Sequence, residues 1–420
     1  MKEQRISKID RRTFLKYTGS LVGGGAIIGF PAILKGAEPP EIKIGAIQPL
    51  TGPLAEIGQS CRQGNEMAVE EINAKGGIKS LGGAKLKLLQ GDSESKEAVG
   101  RSEAERLIRE GAAILTGAFQ SGVSLAIATV AEQRQIPYII DISAADEITQ
   151  RGYKYVFRNF PTTSTLGRNG VQYQLDIFKA TGMTPKRAVI THTSDLFGTT
   201  QANKFQEFHK KLNAPYEIVE VIAYPEATQD LSTEVAKIKA AKPDLLCPIT
   251  RLRDAILLIR ELFKQRVEFL AIMGPGSPGL YETEFINQLG KLADYTMDNA
   301  PWYNPANPQT KQAAEAYEKK HKKSFDTNSG YSFEGVMVIG DVLGRAGSTD
   351  PGKIVEAIRK TNITDHVMIG GPIVFNENGD NPNASSALTQ ILQGKTRIVF
   401  PDAFAETKYT FPVPKLWERG

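Results

Sequence analysis

Two cysteines, two tryptophans and four histidines are spread over 420 residues, and each scarcity removes a class of function. Cys61 and Cys247 stand far apart, so the chain has no disulfide framework. His192, His209, His321 and His366 are scattered, and no Cys/His spacing suggests zinc. No metal and no cofactor are expected. Phosphate-binding motifs are also missing. There is no Walker A pattern, so ATP hydrolysis would belong to a partner. No G-x-G-x-x-G opens a helix after the first strand, where the loop reads "PLTGPLAEIG". The nearest approach to a nucleophile elbow is "PGSPG" around Ser277, with Pro275 where glycine is required. His192 and Asp195 have no serine or cysteine indicated beside them. An enzyme is therefore not expected.

Charge of one sign is scarce as well. The net charge is +4, but it sits at the start of the chain. Residues 1–37 carry Lys2, Arg5, Lys8, Arg11, Arg12, Lys16 and Lys35 against Glu3 and Asp10. The rest is close to neutral and gives no electrostatic footprint for nucleic acid. The same 37 residues read as a targeting segment, a basic region followed by the apolar "LVGGGAIIGFPAIL". They resemble a twin-arginine export signal through Arg11-Arg12, Phe14-Leu15 and Lys16, with Asp10 where serine or threonine is usual. The run is short for a spanning helix and Pro31 interrupts it. Cleavage near "KGAEPP" and retention as an anchor both stay open, and either puts the body outside the cytoplasm.

What the chain has is alternation. "EIKIGAIQPL", "AKLKLLQGDS", "AAILTG" and "IPYIID" read as strands, separated by helices such as "GQSCRQGNEMAVEEINAKGG". The rhythm restarts after "GYKYVFRNFPTT" with strands in "PKRAVITHTSD", "YEIVEVIAY", "DLLCPIT" and "VEFLAIMG". Strands separated by helices predict parallel sheets. The fold class is α/β with two lobes, each a parallel sheet flanked by helices. From Trp302 the pattern turns helical. The end carries Asn-Gly and Gln-Gly turns between β-type runs, as in hairpins. Cys61 is expected on an early helix and Cys247 on a strand of the other lobe, both free and buried. Two such lobes leave a cleft at the carboxyl ends of their strands, where ligands bind in open α/β sheets. "GAFQSGVSLAIA" stands on such an end. Its Phe119, Gln120 and Ser121 lead into a helix whose first amides are unpaired and favour an anion.

Residues 42–78, together with "GAFQSGVSLAIA", "EITQRGYKYVFRN", "TSDLFGTTQANKF", "DLSTEVAKIKAAKPDLL", "FLAIMGPGS" and "GGPIVFNENGD", resemble in order the leucine/isoleucine/valine-type solute-binding proteins of ABC importers. The resemblance implies the type I periplasmic-binding-protein fold with three crossovers, placed near 160, 300 and 370. One lobe would be 41–160 plus 301–370 and the other 161–300 plus 371–420. It implies a monomer outside the cytoplasm that closes on an amino acid or carboxylate and delivers it to permease subunits with cytoplasmic ATPases. A ligand sensor of the same fold, for an amide, urea or organic acid, is the alternative. Ser121 matches the serine that meets the ligand's carboxylate. Ser143 and Ala144 match the following loop, with Ala144 where threonine is common. Phe197 and Ile57 match two aromatic positions, and Gly276 replaces a glutamate that pairs with an ammonium. Asp195 or Glu334 would have to take that role if the ligand were an amino acid. Arg251, beside Arg253 at a strand end, is a candidate partner for an anion. Trp302, with Tyr303, either lines the cleft or packs the hinge.

Overall fold

The computed structural model describes residues 40–419. The export-signal expectation for residues 1–37 lies outside them. Among the described residues, no helix is long and apolar enough to cross a membrane.

Short apolar runs make the first sheet. β1 (Glu41–Gln48), β2 (Lys85–Asp92), β3 (Leu115–Gly117), β4 (Tyr138–Ile140) and β5 (Val156–Arg158) lie in the order β2-β1-β3-β4-β5. All their pairings are parallel. The three central-to-edge strands β3, β4 and β5 are buried at every residue, as strands covered on both faces must be. α1 (Ala55–Ala74), α2 (Glu97–Arg109) and α3 (Ser121–Arg134) connect them.

The second sheet takes β6 (Arg187–Thr193), β7 (Glu217–Tyr224), β8 (Leu245–Ile249), β9 (Ala271–Gly274), β10 (Met297–Ala300), β11 (Ala387–Leu392) and β12 (Lys395–Phe400), in the order β12-β11-β10-β9-β8-β6-β7. It is mixed rather than parallel throughout, because β11 runs antiparallel to β10 and β12. For β12 the reason is local. Gln393 and Gly394, both with left-handed backbone, close a two-residue hairpin turn. α4 (Thr163–Thr181) leads into this sheet, and α5 (Leu196–Lys211), α6 (Ser232–Ala241), α7 (Leu252–Gln265) and α8 (Thr283–Leu289) cross between its strands. Caps fix where two of them begin. Thr162 accepts from the Thr165 amide at α4, and Asp195 accepts from the Gly198 amide at α5.

The chain then returns to the first lobe with α9 (Pro308–His321), α10 (Thr327–Ala346) and α11 (Pro351–Arg359). α10 packs along α1. They approach closely at Gly64, where a Cβ would stand 2.2 Å from the Ser329 carbonyl oxygen.

Three passages join the lobes, through 159–162, 301–307 and 360–386. They are bonded to one another. The Arg158 amide donates to Gly379 O at 2.8 Å and the Asn381 amide to Arg158 O at 2.9 Å. The Ile369 amide donates to Trp302 O at 2.9 Å and the Asn304 amide to Val367 O at 2.8 Å. The Asn378-Gly379 turn thus serves a passage between lobes, not a strand hairpin. Trp302 is buried among Tyr281 and Tyr303, with ring centroids 5.4 and 5.2 Å away. It packs where the passages run. Cys61 on α1 and Cys247 on β8 are both buried and unbonded.

Candidate functional site

Parallel strands deliver their carboxyl ends to one side, and both sheets turn that side toward each other. The loops after β3 and β4 bring Phe119, Ser143 and Ala144. The loops after β6, β8 and β9 bring Phe197, Arg251 and Gly276. These six, with Phe160, Leu166 and Tyr281, are among the walls of a cavity between the lobes. In this conformation it measures about 20 Å³, room for a single water. Gly276 has a left-handed backbone (φ +102°) and a Cβ there would stand 3.2 Å from Leu166 Cδ1. Any larger residue at this position would be strained.

Arg251 organises the centre. It is the N-cap of α7 and only 3% exposed. Its guanidinium carbon lies 5.0 Å from the Phe119 ring centroid and 4.6 Å from that of Phe197. One ring comes from each lobe, so the cation is held between two π-faces. Nη2 donates to Asp195 Oδ2 at 2.8 Å, and Nε lies 3.6 Å from Glu226 Oε1 without a hydrogen-bond acceptor. Burial by itself raises the Asp195 carboxyl, but Arg251, the Thr193 hydroxyl and the Gly198 amide outweigh it and hold the group below its ordinary value. Burial pushes Glu226 up, partly offset by Arg251. Beneath them Asp254 accepts from the Arg251 amide and from the Tyr224 hydroxyl, and burial pushes it up to about 7.

Further contacts cross between the lobes around this centre. Gln120 Nε2 donates to Glu226 at 3.3 Å, Thr200 Oγ1 to Glu147 at 3.2 Å, and Lys204 Nζ lies 3.7 Å from Asp146.

Two hydroxyls expected at the ligand are engaged elsewhere. Ser121 begins α3 one residue after its N-cap, Gln120, and its Oγ accepts from the Ala145 amide at 3.3 Å. Ser121 is not on the cavity wall. Ser143 Oγ bonds to Ala118 O and Ser124 Oγ. Ile57 lines a different space of about 360 Å³ at the rim, with Leu252, Arg253 and Arg260 of α7. Trp302 lines neither space. Glu334 is buried on α10 and accepts from the Val367 amide. It lines a separate space walled by helices of the first lobe.

Sequence reasoning missed Arg158, Asp146 and Glu226. Arg158 is fully buried at the end of β5. Nη1 donates to Ser143 O and Ala145 O at 3.2 and 2.7 Å, Nη2 to Thr149 Oγ1 at 2.7 Å, and Nε to Asp380 at 2.8 Å. It thereby fixes the loop that carries Ser143 and Ala144. Asp146 accepts from Thr163 and Ser164 and so ties that loop to the start of α4. A charge inside the apolar run "YVFRNF" was the available signal for Arg158.

The sequence profile of the family described as periplasmic binding protein matches residues 41–396. The chain is 31% identical over 397 residues to Leu/Ile/Val-binding protein homolog 7 of Brucella abortus (strain 2308), covering 91% of this chain and 97% of that protein. Among solved structures, the branched-chain amino acid transporter substrate binding protein LivJ of Streptococcus pneumoniae, in complex with isoleucine, is similar at a TM-score of 0.75 and 22% identity, over 86% of this chain and 100% of that one. An R. palustris solute binding protein in complex with 4-hydroxybenzoate is similar at 0.72 and 19% identity, over 85% and 95%.

Proposed function

The chain belongs to the periplasmic binding protein family, and from that premise we infer that it is the solute-binding component of an ABC importer. It holds a small amino acid-like or carboxylate solute between its lobes, outside the cytoplasm, and delivers it unchanged to permease subunits powered by cytoplasmic ATPases. The observation that carries this reading is the buried cavity walled by strand-end loops of both sheets, with Phe119 on one side and Phe197 and Arg251 on the other. A site divided between two lobes binds by closing and releases by opening. The parts that move are 41–160 with 301–370, and 161–300 with 371–420. Export follows the twin-arginine route through Arg11 and Arg12, and the mature protein acts as a monomer.

Leucine, isoleucine, benzoate and 4-methylpentanoate are the first probes. At least one should raise the melting temperature by mass action. Small-angle scattering should then record a more compact particle, and the probe should be recovered intact. A converted product, or a tight binder that leaves the particle's dimensions unchanged, would refute the reading. Replacing Arg11 and Arg12 by Lys should retain the chain in the cytoplasm; undiminished export would exclude the twin-arginine route.

A further inference from the structure

We propose that Arg251 is the specificity-determining group of the cleft and that the solute is an apolar carboxylic acid bearing no ammonium. The inference rests on the reading above and names its ligand class. It follows from which polar groups the cavity still has to offer. Its described walls are Phe119, Phe160, Phe197, Leu166, Tyr281 and similar apolar neighbours, and Arg251 is the one charged residue among them. The Ser143 hydroxyl on the wall is engaged by Ala118 O and Ser124, and Ser121, whose Oγ accepts from the Ala145 amide, lies off the wall. Arg251 is not saturated: Nη2 bonds Asp195, while Nε faces Glu226 Oε1 at 3.6 Å, beyond hydrogen-bond distance. A guanidinium presents five donors in a fixed fork, and a carboxylate matches that fork.

The same walls argue against an ammonium. No carboxylate lines the cavity. Asp195 is bonded to Arg251, Thr193 and the Gly198 amide, and Glu226 is engaged by Gln120. A ligand cation would enter unpaired beside a fixed guanidinium, and an unpaired buried charge is strongly disfavoured. For a cation to take the place between Phe119 and Phe197, Arg251 would first have to leave its 2.8 Å bond to Asp195. An acid requires no such departure. It needs the lobes to part and close again around a guanidinium already aligned by two rings.

One carbon skeleton in three charge states tests this on the full chain. 3-Phenylpropanoate, phenylalanine and phenethylamine are compared by calorimetry, with scattering as the readout of closure. The acid should bind, the zwitterion about tenfold or more weaker, and the amine not at all. Arg251→Gln should weaken the acid about 10- to 100-fold, and Arg251→Lys by less. Urea unfolding establishes that the variants are folded; if Arg251→Gln is not, the three-probe comparison on the unaltered chain decides alone. Phenylalanine or phenethylamine binding as tightly as the acid, with compaction, would overturn the role of Arg251 and leave the binding-protein reading intact. Binding of none of the three would overturn the ligand class and leave the binding-protein reading to the probes named above; chemical conversion of a probe would overturn both.

Discussion

Two of the buried arginines, Arg158 and Arg251, are used in opposite ways. Arg158 is fully enclosed and its donors meet Asp380, Thr149 and the carbonyls of Ser143 and Ala145. All of these lie on the loop after β4 or on the passage that returns from α11. Arg251 lies between two rings from different lobes, makes one short bond to Asp195, and leaves Nε without an acceptor. A buried cation whose donors are all answered is scaffold. One with a donor left over, on the wall of a cavity, is available to a solute. The comparison separates groups that shape the site from groups that read what enters it.

The sharpest way to break it is to remove Arg158. Arg158→Met should cost about 3–5 kcal/mol of unfolding free energy, because it strands Asp380 and two loop carbonyls in a buried setting. Urea titration measures this, and a loss under about 1 kcal/mol would mean the arginine is not scaffold. Next comes the acid under Arg251. Asp254 has its value raised to about 7 in the fold, above the ordinary carboxylate value of about 3.9. Its protonated form therefore favours the folded state. That stability is complete below the unfolded value and is lost as pH rises toward and through 7. Asp195 is shifted the other way, so its contribution changes only in more acid solution. Between pH 5 and 8 the unaltered chain should lose about 2 kcal/mol that Asp254→Asn does not lose. Equal slopes for the two proteins would disprove the assignment.

Smaller effects sharpen the contrast. Arg251→Gln should cost only about 1 kcal/mol in stability, since Asp195 keeps Thr193 and Gly198 as partners and is itself part-exposed. A cost equal to that of Arg158→Met, measured in the same titration, would erase the distinction. Lys204→Met removes a part-exposed pair with Asp146 across the cleft. Solute affinity should fall about twofold, in keeping with an exposed ion pair. A tenfold fall in calorimetry would place a strong clamp at the rim instead.

Much of this was legible in the sequence. Apolar periodicity located the strands and helices, strand-end position singled out Phe119 and Arg251, the family resemblance added Ser143, Phe197 and Gly276, and the fold gathers these around one cavity. The rest depended on partners distant in the chain. Arg158 and Asp380 are separated by 222 residues, and nothing local marks them as a pair. Ser121 had the sequence context of an anion cradle, and the bond it accepts from the Ala145 amide depends on tertiary packing that the local sequence does not show. Trp302 had two readings, and its aromatic neighbours Tyr281 and Tyr303 decide for the passages. The antiparallel β11 reflects the path of a long return, which periodicity does not encode.

The third passage is hydrogen-bonded to the end of β5, where the first passage begins, and to the second passage. Ribbons tied side by side resist sliding and yield to bending. An opening of the cleft is then a rotation about an axis near Arg158, Trp302 and Asn381, and displacement grows with distance from it. Tyr281 against Trp302 sits on the short arm. Lys204 opposite Asp146 is close in as well, since Asp146 bonds to Thr163 and Ser164 just past the first passage. A permease that grips both lobes far from the axis would have mechanical advantage over the contacts around Arg251, prising them apart with modest force applied at the tips.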